Sequence, residues 1–171
     1  MRLAVEQRDA GAGAHGTLQQ RRRLLFVITS SDMGGSETFL RELVTRLDRQ
    51  EFEPFVCSLR PPGQVAREIE ATGTKVFSLG MSEHPRIGEL VAGIVKLARC
   101  MRELRVDLVQ GFLYRANVLM TLASKLLAPR PLVVVGQRSL FPLTGKRASV
   151  AARWTNRWVD HVVAVSSAVA D

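Results

Sequence analysis

Apolar residues, many of them β-branched, gather in short runs at Leu24–Thr29, Pro54–Leu59, Lys75–Leu79, Val106–Val109, Leu132–Val135 and His161–Val165. These runs are strand-length and have almost no polar alternation, so they read as strands buried on both sides. Between them the apolar spacing turns helical: Phe39, Leu40, Leu43, Val44 and Leu47, then Ile87, Leu90, Val91, Ile94, Leu97, Ala98, Met101 and Leu104. A shorter helix is expected over Gln64–Thr72, closed by Gly73. Two more are expected over Asn117–Leu127, ended by Pro129 and Pro131, and over Ala148–Val159, where Trp154 and Trp158 share one face. Strand and helix therefore alternate. The expected fold is α/β: a single domain with a doubly wound, Rossmann-like parallel sheet.

In such a sheet ligands bind beyond the carboxyl ends of the strands, and the polar residues are distributed unevenly with respect to those ends. Ser30, Ser31, Asp32, Gly34 and Gly35 follow the first strand. Gln110, Gly111, Tyr114, Arg115 and Asn117 follow the fourth, Gln137, Arg138 and Ser139 the fifth, and Ser166 and Ser167 the sixth. The opposite connections, such as Arg49-Gln50-Glu51, are ordinary helix-end sequences. The diglycine Gly34-Gly35 lets a bound group approach the backbone and presents the first amides of the next helix to an anion. Read without a ligand, it is a tight strand-to-helix turn. Arg138 offers a planar fork for phosphate or carboxylate, and equally suits a structural pairing.

Composition narrows the function classes. The chain has 171 residues, 46% hydrophobic and 23% charged, enough for one core. Met1–Arg23 lacks apolar periodicity and reads as a basic leader, leaving residues 24–171 as the domain. That leader has no apolar stretch of secretory type, which suggests a cytoplasmic protein, and Cys57 and Cys100 lack C-x-x-C spacing and suit a reducing compartment. The net charge of +8 brings anionic partners into consideration, nucleic acid, a lipid surface or a phosphorylated substrate, and does not by itself choose among them. Nucleic acid is disfavoured because aromatic residues do not interleave with the basic ones. Of nucleic acid and lipid, an anionic membrane surface is the better option, met peripherally on its inner face through Arg147, Arg153 and Arg157, and a simply soluble basic surface stands as an equal alternative. His84 and His161 have no neighbouring ligand residues in sequence, so no metal site is expected. The G-x-S-x-G elbow, the Walker loop, H-E-x-x-H and the third glycine of the dinucleotide fingerprint are all missing.

Four stretches in this order resemble the amino-terminal half of a family 4-type glycosyltransferase with GT-B architecture. They are Leu25–Ile28 running into Gly34-Gly35-Ser36-Glu37; Val106-Asp107-Leu108-Val109-Gln110 with Tyr114-Arg115-Ala116-Asn117; Val134–Ser139; and Val159–Ser166. The resemblance implies that this half binds a sugar or lipid-linked acceptor, while a second Rossmann-like domain holds the nucleotide-sugar, with no cofactor bound by this half alone. It carries substrate-binding roles onto Gly34, Gly35, Arg115, Asn117, Arg138 and Ser166, with Gly34-Gly35 facing the donor phosphates and Arg138 the acceptor. Arg115 stands where relatives often have a histidine. A permanent cation there replaces a group that titrates near neutrality, and no catalytic residue is assigned. The chain ends inside the helix expected after Ser166, and the paired-glutamate donor domain lies outside it. Three origins are expected to explain this: a fragment, a truncated product or one half of a split enzyme, inactive until completed. The alternative is a noncatalytic binding or regulatory module for an anionic ligand or partner protein.

Overall fold

A computed structural model describes residues 20–32, 34–137 and 157–164. The elements are β1 (Arg22–Ile28), α1 (Gly35–Arg46), β2 (Phe52–Ser58), α2 (Gln64–Ala71), β3 (Lys75–Ser78), α3 (Ile87–Glu103), β4 (Leu108–Phe112), α4 (Tyr114–Ser124), β5 (Leu132–Gln137) and β6 (His161–Ala164). All five strand pairings are parallel, in the order β3-β2-β1-β4-β5-β6. This is the order of a Rossmann-like sheet, which reverses direction between β1 and β4.

The near-continuous apolar strands are explained by cores on both faces. Leu24, Phe26 and Ile28 point to one face, where Leu40 and Val44 of α1 and Val65 and Ile69 of α2 cover them. Leu25 and Val27 point to the other, beneath Leu97 and Met101 of α3 and Leu119 and Met120 of α4. Each of these side chains, fully buried, contributes about 1.5–3 kcal/mol. Because neither face of β1 is wet, alternation never develops in its sequence.

The Gln64 helix ends as expected, with Gly73 in the left-handed region at φ 83°. Other bounds differ. β1 starts at Arg22, two residues before its apolar run, because Arg22 N donates to Glu51 O and Arg23 N to Asp107 Oδ2. β4 is Leu108–Phe112 rather than Val106–Val109, so Gln110 and Gly111 belong to the strand and not to the loop after it. α4 begins at Tyr114, three residues before the expected Asn117. Of the helix expected over Ala148–Val159 only residues 157–159 are described, and 157–158 form a turn.

The amino-terminal ends of the strands are fastened by two aspartates. Asp107 accepts from Arg23 N at 2.7 Å, and Asp160 accepts from Val133 N at 2.8 Å and from the Arg130 guanidinium at 2.6 Å. Each aspartate leads its own strand and binds the backbone of the neighbouring one. A cavity of about 510 Å³ opens at this edge, lined by residues including Arg22, Arg23, Leu24, Arg105, Asp107 and Leu132. It lies away from the carboxyl edge, and Arg23 in its wall is already committed to Glu53 and to the Leu104 carbonyl. We therefore treat the cavity as part of the sheet's base and place no ligand there.

Candidate functional site

One register row crosses the whole sheet: Ser78, Ser58, Ile28, Phe112, Gly136 and Val163 are successive partners. The loops that leave this row form the carboxyl edge. Gly34 and Gly35 follow Ile28, and Arg115 and Asn117 follow Phe112, so these four expected site residues extend from adjacent central strands. Arg138 and Ser166 lie outside the described residues.

Gly34 precedes α1 in an extended conformation, φ −172°, open to any residue. A Cβ there would meet only the Glu37 carboxylate, the far end of a flexible side chain that folds back over Gly34. Glu37 is buried and sits in the first turn of α1, where a negative charge is favoured by the helix dipole and the unpaired amides. The chain thus supplies its own carboxylate at the position expected for a phosphate. Any phosphate arriving there must first displace a flexible side chain. Gly35, by contrast, has open space around it.

The loop after β1 is held from below. Ser31 is buried; its Oγ accepts from Gly63 N at 2.8 Å, and its carbonyl accepts from Val65 N at 3.0 Å. A Cβ on Gly63 would lie 2.5 Å from the Ser31 carbonyl oxygen and 2.6 Å from Asp32 N, so only glycine permits this approach. Ser30 Oγ donates to Asp32 Oδ2 at 2.7 Å, closing the top of the turn. Sequence reading missed Gly63. Its position at the start of α2 was the available signal.

On the β4 side, Leu113 links strand to helix at φ 70° and ψ 154°, a region essentially reserved for glycine. Sequence reading missed this residue too, because no local pattern marks a leucine held there. Arg115 Nη1 donates to the Glu83 main-chain carbonyl at 2.8 Å, tying the first turn of α4 to the loop after β3. Asn117 Nδ2 reaches the Gly136 carbonyl at 3.4 Å, while its Oδ1 is buried without a partner against Gly111, where a Cβ would collide with it. Both residues therefore occupy the expected edge, and both spend at least part of their hydrogen bonding on the protein. Between the two halves, Phe112 packs with Phe26 and Phe39, each pair with ring centroids 6.2 Å apart. Phe39 is partly exposed beside the diglycine loop.

Among the described residues the N-caps of α1 to α4, Gly34, Gly63, Arg86 and Leu113, make no side-chain capping bond, but Ser31 already occupies the start of α2 and Glu89 the Arg86 amide at the start of α3. In a parallel α/β sheet helices such as α1 to α4 start at the carboxyl edge, where their amino-terminal partial charges lie. The edge is suited to binding an anion and to stabilising charge on a departing one. No group of three or more His, Cys, Asp or Glu suited to a metal occurs among the described residues.

The Glycosyltransferase Family 4 profile matches residues 33–171. Among solved structures, Anabaena Alr3699/HepE in complex with UDP and glucose is similar with TM-score 0.69 at 22% identity, over 87% of this chain and 39% of that one. The lipopolysaccharide outer core galactosyltransferase WaaB is similar with TM-score 0.67 at 15% identity, over 86% and 40%. A UDP-N-acetylglucosamine 2-epimerase reaches TM-score 0.60 at 13% identity, over 88% and 43%. At these identities the likeness speaks for the fold alone, which evidently hosts more than one reaction. No curated protein sequence matches. The chain spans about two fifths of the length of each of these structures.

Proposed function

The chain belongs to glycosyltransferase family 4, and from that membership and the geometry of the carboxyl edge we propose that it is the acceptor-side domain of an enzyme transferring a sugar from a nucleotide-sugar. The observation that supports the reading is the single register row, in which Ile28 pairs with Phe112, so that the chain leading to Gly34-Gly35 and the start of α4 with Arg115 and Asn117 leave adjacent strands at the carboxyl edge. The first amides of α1 face the donor's phosphates once Glu37 swings aside. Arg115, with Arg138 and Ser166 from the later strands, holds the acceptor. Asn117 contributes through its unsatisfied Oδ1, which can accept from a substrate hydroxyl after a small rotation.

Transfer by this mechanism needs a second, donor-binding domain, in cis or in trans. UDP is a reasonable first probe, because Anabaena HepE was crystallised with it. The reading also places the protein in the cytoplasm, supported by Cys57 and Cys100 being free thiols.

The test is to mix the 171-residue chain with the separately produced donor domain of a family 4 enzyme, and to measure UDP release from UDP-sugars with and without an acceptor extract. The chain alone should release no UDP, and the completed pair should do so in an acceptor-dependent way. Efficient transfer by the isolated chain would overturn the reading. Ligand binding without transfer in any completed pair would favour a noncatalytic binding module, the reading that Arg115 and the self-occupied helix start also suit.

A further inference from the structure

Two arginines at the carboxyl edge meet on one residue of the loop after β3. Arg60 stands two residues beyond β2. Its amide donates to the Thr29 carbonyl at 3.2 Å and its own carbonyl accepts from Ser78 Oγ at 2.8 Å, so the ends of β1 and β3 fix it at this edge. Its guanidinium lies 3.6 Å from the Glu83 carboxylate, which is 66% exposed. That separation is a charge contact, weaker than a hydrogen-bonded fork. Arg115 reaches the same residue from the first turn of α4, at the main-chain carbonyl. Arg86, three residues after Glu83, is exposed and makes no ion pair among the described residues.

The donors gathered here are underused. A guanidinium carries five N–H groups in a rigid fork. Among the described residues the Arg60 side chain donates no hydrogen bond, and Arg115 gives one, to a neutral carbonyl. Glu89, the other acid near this loop, is committed to the Ser82 amide and hydroxyl. Two oxygens on the same edge are buried without partners, Thr29 Oγ1 after β1 and Asn117 Oδ1 in α4. A buried oxygen left in this state is costly until a ligand or water completes it. The strand order β2-β1-β4 sets Thr29 between the chain that carries Arg60 and the chain that carries Arg115 and Asn117. Forks on both sides ask for an anion, and the oxygens between them ask for hydroxyls. A tetrahedral phosphoryl group can offer separate oxygens to two forks, whereas a carboxylate has only two, in one plane.

We propose that the acceptor taken by this edge carries a phosphoryl group, clamped by Arg60 and Arg115 once it displaces the Glu83 carboxylate, with its hydroxyls on Thr29 Oγ1 and Asn117 Oδ1. The proposal rests on the acceptor-side reading and narrows it from sugars in general to phosphorylated ones. A sugar phosphate and a phosphodiester headgroup present the same chemistry to the two forks. The sequence had offered other arginines to an anionic partner: Arg147 and Arg153 lie outside the described residues, and Arg157 is exposed.

The experiment is titration calorimetry of the full chain with inorganic phosphate, glucose 6-phosphate, glucose, glucuronate and, as a headgroup source, monomeric dihexanoylphosphatidylglycerol. Glucose 6-phosphate should bind at least tenfold more tightly than glucose or glucuronate, and inorganic phosphate should compete with it. Arg60→Gln should weaken that binding at least tenfold with little change in the melting curve, because its contact with Glu83 is long and exposed. Glu83→Gln, which keeps the carbonyl that Arg115 uses, should tighten it, and Arg46→Gln on α1 should leave it unaltered. Tighter binding of the phosphatidylglycerol than of the sugar phosphate assigns the phosphoryl group to a lipid headgroup, and the reverse order to a soluble sugar; both support the proposal. Equal affinity for glucose and glucose 6-phosphate, a preference for glucuronate, no binding of any phosphate compound, or wild-type affinity in both Arg60→Gln and Glu83→Gln would overturn it. The two readings fail separately. Phosphate-selective binding without transfer in a completed pair ends the transfer reading alone, and transfer to a phosphate-free acceptor, unchanged by Arg60→Gln, ends this one alone.

Discussion

At the scale of single residues, the two sides of the carboxyl edge are built by opposite means. Leu113 holds φ 70° without glycine's freedom, a strain of about 1–3 kcal/mol that neighbouring packing must offset. Leu113→Gly should therefore raise stability by about 1 kcal/mol, read as a melting midpoint higher by about 2–4 °C in thermal denaturation. Gly63 lies under the opposite loop, where its missing Cβ is the contact. Gly63→Ala should cost about 1–3 kcal/mol, because backbone atoms and not a flexible side chain would have to move. Gly35→Ala separates fold from function. Open space surrounds this first helical position, so stability should hold or rise slightly. If the α1 amides meet phosphate, titration calorimetry should show weaker UDP binding; unchanged binding would remove Gly35 from the site.

At the scale of elements, the loops beyond the sheet are tethered by charge-assisted hydrogen bonds. Glu89, in the first turn of α3, accepts from the Ser82 backbone amide and then its hydroxyl, and these bonds hold its carboxyl below the ordinary 4.5. Glu68 is lowered in the same direction by Arg41, and then by Gln64. Folded values below the unfolded ones mean that this stabilisation is present above pH 4.5 and is lost as pH falls through the folded values. Acid titration followed by circular dichroism should show that loss, and Glu89→Gln should make the part it controls insensitive to pH. At the base of the sheet, Asp160 serves Val133 N and Arg130 together. Asp160→Ala should cost about 2 kcal/mol in denaturant unfolding, since it strands a backbone donor at the start of β5. Asp107 does the same for β1, which gives a physical meaning to the repeated Val-Asp pairs before β4 and β6.

At the scale of the whole molecule, two cores press on one sheet, and its buried groups are out of reach until it opens. Burial pushes the Cys57 thiol well above its ordinary 9.0, with the nearby Cys100 adding to the effect, while Cys100 is pushed to about 11, mainly by burial. Neither thiol is ionised near neutrality. A thiol reagent at pH 8 should label Cys57 only at the rate of global unfolding, and Cys100 faster because it is only half buried. Rapid labelling of Cys57 in the native protein would show that the sheet opens locally. No helix among the described residues is long and apolar enough to cross a membrane.

Much of this architecture was legible in the chain. Strands buried on both faces must be apolar throughout, helices between them must be one-sided, and the location of ligands in such sheets then selects Gly34, Gly35, Arg115 and Asn117 as edge residues. Strand limits were less legible, because β4 continues through Gln110 and Gly111, residues whose pattern reads as a loop; their pairing with Phe26 and Val27 of β1 overrides it. Contacts between distant segments decided the rest. The fold of Glu37 over Gly34, the seat of Gly63 under Ser31 and the strained Leu113 each depend on what packing brings alongside. Local periodicity reports which residues avoid water. It carries no record of which neighbour, if any, excludes that water, and only the three-dimensional chain supplies it.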